Sequence, residues 1–248
     1  MELKHSDNLK ILIFIPTYNE AQNLKNLYEE IKKLDLITDF LVVDDNSEDG
    51  TKDVIKSLSN EDPQFFSIIR SGKLGIGSAH KAGIRWAKSQ QYDYLITMDC
   101  DFTHPPEYIP DLLNKTDSAD VIIGSRYLKS GSLEGWSLFR KILTYMGHFM
   151  TIQLLKMPYD ASSAFRCYNL KLPLNLLCDK VVSDSYSFFF ESLFILQINR
   201  VKIKEISIHL PARTAGKSKM TLNDAYKSIK YLLELYVKKI FANNKLKL

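Results

Sequence analysis

Tyr94-Leu95-Ile96-Thr97-Met98-Asp99-Cys100-Asp101-Phe102-Thr103-His104-Pro105-Pro106 joins an apolar run to two carboxylates spaced one residue apart. The run Tyr94 to Met98 reads as a buried strand. Aspartates near a buried strand are unfavourable unless something pairs with them. A strand end that points two carboxylates into a cleft suits a hard divalent cation, Mg²⁺ or Mn²⁺. Such a cation in turn holds a diphosphate. The plainer alternative is that Asp99 and Asp101 cap the loop or the following helix.

The same grammar repeats on either side. Lys10 to Ile15, Phe40 to Val43, Phe65 to Ile69 and Asp120 to Gly124 are further short apolar runs. Between them lie helical patterns over Glu20 to Leu34, Asp49 to Leu58 (with Asp49 as cap), Ser78 to Gln90 and Pro106 to Asn114. Apolar strands alternating with helices predict an α/β fold, a mostly parallel sheet sandwiched by helices. Ligands of such sheets bind beyond the carboxyl ends of the strands. Polar residues collect there: Thr17-Tyr18-Asn19-Glu20, Asp44-Asp45, Asp99 with Asp101, and Ser125-Arg126.

The second half is sparser in signals. Leu138 to Leu155 is long and weakly polar, Ile203 to Ile208 is a predicted strand, and Thr221 to Phe241 is a final amphipathic helix. We expect residues 1–220 to form one domain and residues 221–248 a C-terminal helix and tail. A net charge of +4 over 248 residues suits an anionic substrate or membrane surface but is too weak to argue for nucleic acid. Three cysteines without a CxxC pair predict reduced thiols in a cytoplasmic setting. Neither a signal peptide nor a run of about 18 apolar residues is visible, so no spanning helix is expected.

Individual motifs each carry two readings. Asp44 and Asp45 can accept from a base N–H or a ribose hydroxyl, or can belong to a capping turn. Lys73-Leu74-Gly75-Ile76-Gly77-Ser78-Ala79 can bring backbone close to a ligand, or can be a tight turn into a packed helix. It lacks the residues of a phosphate loop. Arg126, Arg140, Arg166, Arg213, Lys217 and Lys219 are cations for a diphosphate or an acceptor phosphate, or solvated surface charges.

In order, Pro16-Thr17-Tyr18-Asn19-Glu20, Asp44 to Thr51, Lys73 to Ala79, Asp99 to Pro105 and Gly124 to Tyr127 resemble the inverting family-two glycosyltransferases of the GT-A fold. Asp160 to Arg166, Ser183 to Glu191 and Arg213 to Lys219 extend the resemblance to the polyprenol-phosphate hexosyltransferases within that family. The resemblance implies that Pro16, Tyr18, Glu20 and Asp44 or Asp45 hold the nucleoside. Asp99 and Asp101 would hold Mg²⁺ or Mn²⁺ beneath the diphosphate of a GDP- or UDP-hexose, with Lys73 and Arg126 in the same region. Arg140, Arg213 and Lys219, grouped with Asp101 as the catalytic set, would bind the acceptor phosphate or the leaving diphosphate. Ala164, Ser185, Asp184 and Thr103 depart from the group's pattern near the sugar and acceptor pocket. Mannose is the first expectation for the hexose and glucose the second.

A polyprenyl phosphate is already anionic and needs no base, whereas a saccharide hydroxyl does. Glu191 and Asp184 are the candidate bases in that alternative, with Glu191 otherwise a substrate-binding residue. A non-catalytic nucleotide-sugar-binding subunit and a nucleotidyltransferase are further alternatives. Trp136 to Leu155 and the final helix, with Lys227, Lys230, Lys238 and Lys239, predict peripheral contact with the cytoplasmic face of a membrane. Packing of the final helix on the domain itself or on a second subunit is the competing reading, the partner being a second copy of the chain or a small membrane-anchoring subunit. His104 is expected to orient the loop after Asp101.

Overall fold

The computed structural model describes residues 9–172, 176–210 and 221–241. Arg213, Lys217 and Lys219 lie outside the described residues.

Seven strands form one sheet: β1 (Ile11–Thr17), β2 (Asp39–Asp44), β3 (Phe65–Ile69), β4 (Tyr94–Thr97), β5 (Val121–Ser125), β6 (Arg166–Asn169) and β7 (Ile203–Ser207). Their order is β3-β2-β1-β4-β6-β5-β7. All neighbours run parallel except β6, which is antiparallel to both β4 and β5. The expected mostly parallel sheet is present.

Alternation along each strand builds two cores. Leu12, Phe14, Leu41, Val43, Leu95 and Val121 face one side. Ile13, Ile15, Phe40, Val42, Ile96 and Ile122 face the other. Helices α1 (Ala21–Lys32), α2 (Thr51–Glu61) and α4 (Ile109–Leu113) cover the second face through Leu24, Leu27, Ile55, Leu58 and Ile109. Helices α3 (Ile76–Ser89), α6 (Phe188–Ile198) and α7 (Leu222–Phe241) cover the first through Ala79, Ile84, Leu193, Leu232 and Leu235. Helix α5 (Leu138–Met150) runs on into a π-helical turn, Thr151–Leu155.

Several expectations need correction. Helix α2 starts at Thr51 with Gly50, at φ 95°, as its cap, not on Asp49. The Asp49 carboxylate instead accepts from the Thr51 amide and from the Ala21 amide across the loop, each at 3.1 Å. Strand β6 and helix α6 are additions. Helix α6 reads Phe188-Phe189-Phe190-Glu191-Ser192-Leu193-Phe194-Ile195-Leu196-Gln197-Ile198 and is buried from Phe188 to Leu196. A helix that is apolar all round leaves no 3.6-residue stripe to read.

The strand order places the site. β1 leads to β2 on one side, and the chain crosses back from β3 to place β4 on the other side of β1, so the crevice lies beyond Thr17 and Thr97. Because β6 runs backwards, its leading segment, Asp160 to Phe165, arrives at that same edge.

Candidate active site

The two loops after β1 and β2 are stitched together. Thr17 Oγ1 donates to Asp44 Oδ2 at 2.8 Å, and Ser47 donates its amide and hydroxyl to the same carboxylate. The Asn19 amide donates to Ser47 Oγ at 2.8 Å, Glu48 N–H to Asn19 Oδ1 at 2.9 Å and Glu20 N–H to Thr51 Oγ1 at 2.9 Å. Asn19 and Asn46 adopt φ 57° and 59°, a region asparagine tolerates better than most residues. Asp44 is wholly buried and its acceptors face these three donors. It therefore braces the loop through these three bonds. Pro16, Tyr18 and Glu20 line the partly exposed rim, where Glu20 Oε2 also takes a hydrogen bond from Asn23 Nδ2.

Asp45 forms an ion pair with Arg70, which directly follows β3, and accepts from the Gly75 amide at 3.1 Å. Arg70 further donates to Ser78 Oγ at 2.8 Å and to the Gly75 carbonyl at 3.1 Å. Sequence reasoning missed Arg70. Its signal was a cation at a strand end, the same signal that singled out Arg126. Lys73 lies over the Tyr18 ring, 4.3 Å from its centroid.

The glycines of this loop serve packing. Gly75 has φ 97°, and a Cβ there would come within 2.3 Å of the Asp184 carbonyl oxygen. A Cβ on Gly77 would lie 2.7 Å from Phe188 Cβ and 2.8 Å from the Asp184 carbonyl carbon. The first amides of α3, from Gly77 and Ser78, donate to the Asp184 carbonyl at 3.0 and 3.2 Å. A protein carbonyl thus occupies the helix N-terminus where an anion could otherwise bind. Gly77→Ala is expected to destabilise the fold by about 2 kcal/mol through overpacking, read as a lower urea midpoint.

The Asp99–His104 loop is wound tightly. Asp101 Oδ1 accepts from the Thr103 amide at 3.1 Å and the Thr103 hydroxyl at 2.5 Å, and Phe102 adopts φ 61°. The Asp99 amide donates to His104 Nδ1 at 3.0 Å. An Nδ1 that accepts carries no proton. The His104 ring stacks on Phe165 at 5.4 Å between centroids. His104 thus orients the loop, as expected. Asp101 is buried and Asp99 is partly exposed.

Arg126 donates its backbone N–H and Nε to the wholly buried Asp160 Oδ2, at 3.1 and 2.7 Å. Burial works against its charge, but Asp160, Tyr127 and the nearby Asp99 outweigh it and hold its pKa above the ordinary value. Arg126 is therefore a fixed cation beside the aspartates. Arg140 sits in the first turn of α5 with its guanidinium 3.5 Å from the centre of the Trp136 ring.

Two expected site residues lie elsewhere. Arg166 is wholly buried and donates to the Ser163, Ala161 and Phe189 carbonyls and to the Tyr168 and Ser192 hydroxyls, between 2.7 and 3.1 Å. It is a core cation, not a diphosphate ligand. Glu191, 1% exposed, accepts from the Val182 and Ser183 amides at 3.0 and 2.9 Å and from the Tyr231 hydroxyl at 2.5 Å. Its carboxylate is engaged by two amides and a phenol of the protein. Asp184 pairs with Lys81 at 2.8 Å.

Asp99 and Asp101 supply only hard oxygen donors. Among the described residues no cluster of three His, Cys, Asp or Glu side chains is suited to a metal. Cations of the Mg²⁺ type are commonly held by one or two carboxylates together with substrate phosphates. The donor set fits that arrangement, and not an all-protein cage.

Behind the site lies His80, wholly buried among Phe14, Phe188 and Phe189. Neither ring nitrogen has a hydrogen-bond partner among the described residues. Burial, with the Arg166 guanidinium adding repulsion, lowers its pKa to about 3. The unfolded chain therefore binds a proton at higher pH than the folded one. Stability falls as pH drops below 6.5, the ordinary value, toward about 3. Between pH 7 and 5 the loss is expected to be about 2 kcal/mol. His80→Leu should remove that part of the slope in paired urea titrations.

A family model described as Glycosyl transferase family 2 matches residues 12–171. An undecaprenyl-phosphate mannosyltransferase of Micrococcus luteus is 33% identical over 214 residues, covering 86% of this chain and 88% of the relative. A polyprenol monophosphomannose synthase of Mycolicibacterium smegmatis is 32% identical over 215 residues, covering 86% and 81%. Among solved structures, glucosyl-3-phosphoglycerate synthase of Mycobacterium tuberculosis, in complex with Mn²⁺ and UDP-glucose, superposes with a TM-score of 0.67. It shares 16% identity, with 92% of this chain and 79% of that one covered.

Proposed function

The chain belongs to glycosyl transferase family 2, and from that premise we propose that it transfers a hexose, mannose before glucose, from a nucleotide sugar to a polyprenyl phosphate. The two sequence relatives carry names of that activity. The observation that carries the acceptor choice is the placement of Glu191. Its carboxylate is held by two amides and a phenol, and the other candidate base, Asp184, is salt-bridged to Lys81. A hydroxyl acceptor needs a base, and an anionic phosphate oxygen does not.

In this reading the rim of Pro16, Tyr18, Glu20, Asp45 and Lys73 takes the nucleoside. Asp99 and Asp101 hold a divalent cation, and Arg126 adds a fixed positive charge beside them. The cation, once bound, neutralises charge on the departing nucleoside diphosphate. The protein's own work is positioning: it aligns the phosphate oxygen behind the anomeric carbon, which gives inversion. Arg140, Arg213 and Lys219 are proposed to hold phosphate oxygens.

No helix among the described residues is long and apolar enough to cross a membrane. Two helices instead expose apolar stripes: Leu138, Ile142, Tyr145 and Phe149 on α5, and Tyr226, Leu233, Val237 and Ile240 on α7. Lys227, Lys230 and Lys238 flank the latter. We read both as peripheral contacts with an anionic membrane surface, the source of the lipid.

The test is turnover. Purified protein with Mn²⁺, GDP-mannose or UDP-glucose, and a short polyprenyl phosphate should yield an organic-extractable lipid-linked hexose. Absence of that product with every hexose donor overturns the acceptor assignment.

A further inference from the structure

We infer that Glu191 is a positioning residue for donor binding. It holds the Val182–Asp184 backbone so that the Asp184 carbonyl seats the start of α3, and with it the loop that carries Lys73. The inference rests on the reading above that the strand-end loops take the nucleotide sugar.

The chain of contacts is continuous. Tyr231 of α7 donates its hydroxyl to Glu191 on α6. Burial and the adjacent Glu191 push that phenol far above its usual pKa, so it remains a donor. Glu191 in turn accepts from Val182 and Ser183, one amide on each oxygen. The next residue, Asp184, offers its carbonyl to Gly77 and Ser78, and Lys81 secures its side chain from within α3. The absence of a Cβ on Gly75 and Gly77 is what lets these backbones meet. Gly75 and Ser78 are both gripped by Arg70, which also pairs with Asp45. Lys73 lies within this ring, over Tyr18.

A shift of Val182–Asp184 therefore moves the α3 N-terminus, with the Gly75 and Ser78 groups that Arg70 grips, and Lys73 together. The contacts just traced run through α3, α6, α7 and the loops after β1, β2 and β3, so the expected defect is in donor binding. Gln at position 191 keeps one acceptor oxygen but turns an NH₂ toward an amide that already donates. The Tyr231 hydroxyl acts on the Val182–Asp184 backbone through Glu191.

The experiment combines steady-state kinetics of Glu191→Gln, Tyr231→Phe and the double variant with amide exchange in the ligand-free full chain. Glu191→Gln is expected to raise the donor KM about tenfold and Tyr231→Phe about threefold, with acceptor KM and the pH profile of kcat unchanged. Exchange at the Gly77 and Ser78 amides should accelerate in both. The double variant should be no worse than Glu191→Gln alone, the signature of two residues acting in series.

A loss of kcat of about a thousandfold and of one limb of the pH profile, in Glu191→Gln alone, would identify a proton-transfer group and overturn the inference. Wild-type donor KM and wild-type exchange in both variants would also overturn it. If Glu191→Gln does not fold, Tyr231→Phe decides. If wild-type protein makes no lipid-linked hexose, the proposed function fails and the exchange at Gly77 and Ser78 decides this inference by itself.

Discussion

Asp101→Asn is expected to lower kcat/KM by about three orders of magnitude while leaving the fold intact. The asymmetry follows from the loop. Asp101 Oδ1 accepts from the Thr103 amide and hydroxyl, and the carbonyl oxygen of Asn can take both. The left-handed turn at Phe102 is then retained, along with the grip of His104 on the Asp99 amide. The negative charge is lost, and with it one of the two hard anionic donors for a divalent cation. The melting temperature should move by only a few degrees. Mn²⁺ titration of residual turnover should saturate at higher concentration than in wild type, and EDTA should abolish turnover in both. Wild-type turnover in Asp101→Asn would show that this carboxylate only shapes the loop.

The second large effect is on stability. Arg166→Lys should cost about 3 kcal/mol of unfolding free energy. The guanidinium forks into five partners, three carbonyls and two hydroxyls. An ammonium offers three donors without the planar fork, so at least two acceptors lose their partner. Each buried acceptor left unmade costs roughly 1–3 kcal/mol. Arg166→Met should be at least as damaging, since it removes all five bonds, although the Phe189 carbonyl keeps the Ser192 hydroxyl as a donor. The check is a urea midpoint at constant m-value. A change below about 1 kcal/mol would mean that water replaces the guanidinium.

The contrast between these residues shows what was legible in advance. Strand ends were readable because apolar runs such as Ile11 to Ile15 stop abruptly at polar residues, and Asp99, Asp101 and Arg126 all fall there. What could not be read was which way each polar group turns. Asp44 and Asp45 are adjacent and chemically identical, yet one is enclosed by Thr17 and Ser47 and the other paired with Arg70. Glu191 and Arg166 sit within motif-like stretches but are drawn inward, Arg166 by β6 and Glu191 by α6. Neither element shows periodicity: β6 is four residues with an arginine at its head, and α6 is apolar on every face. Gly75 and Gly77 carry the same lesson, since their constraint is a neighbouring backbone more than one hundred positions along the chain.

The reversed strand β6 also sets a timetable for synthesis. β1 to β4 lie within the first hundred residues and pair with one another. β5 is buried throughout, yet has no partner until Arg166 to Tyr168 arrive to join it and β4. A nascent chain halted between residues 125 and 165 therefore carries two open edges, on β4 and β5, that nothing yet covers. Such edges invite pairing with other chains. Ribosome release at that stage should give the most aggregation-prone fragment of this protein, and truncations past β7, which covers the other edge of β5, should be the first to escape it.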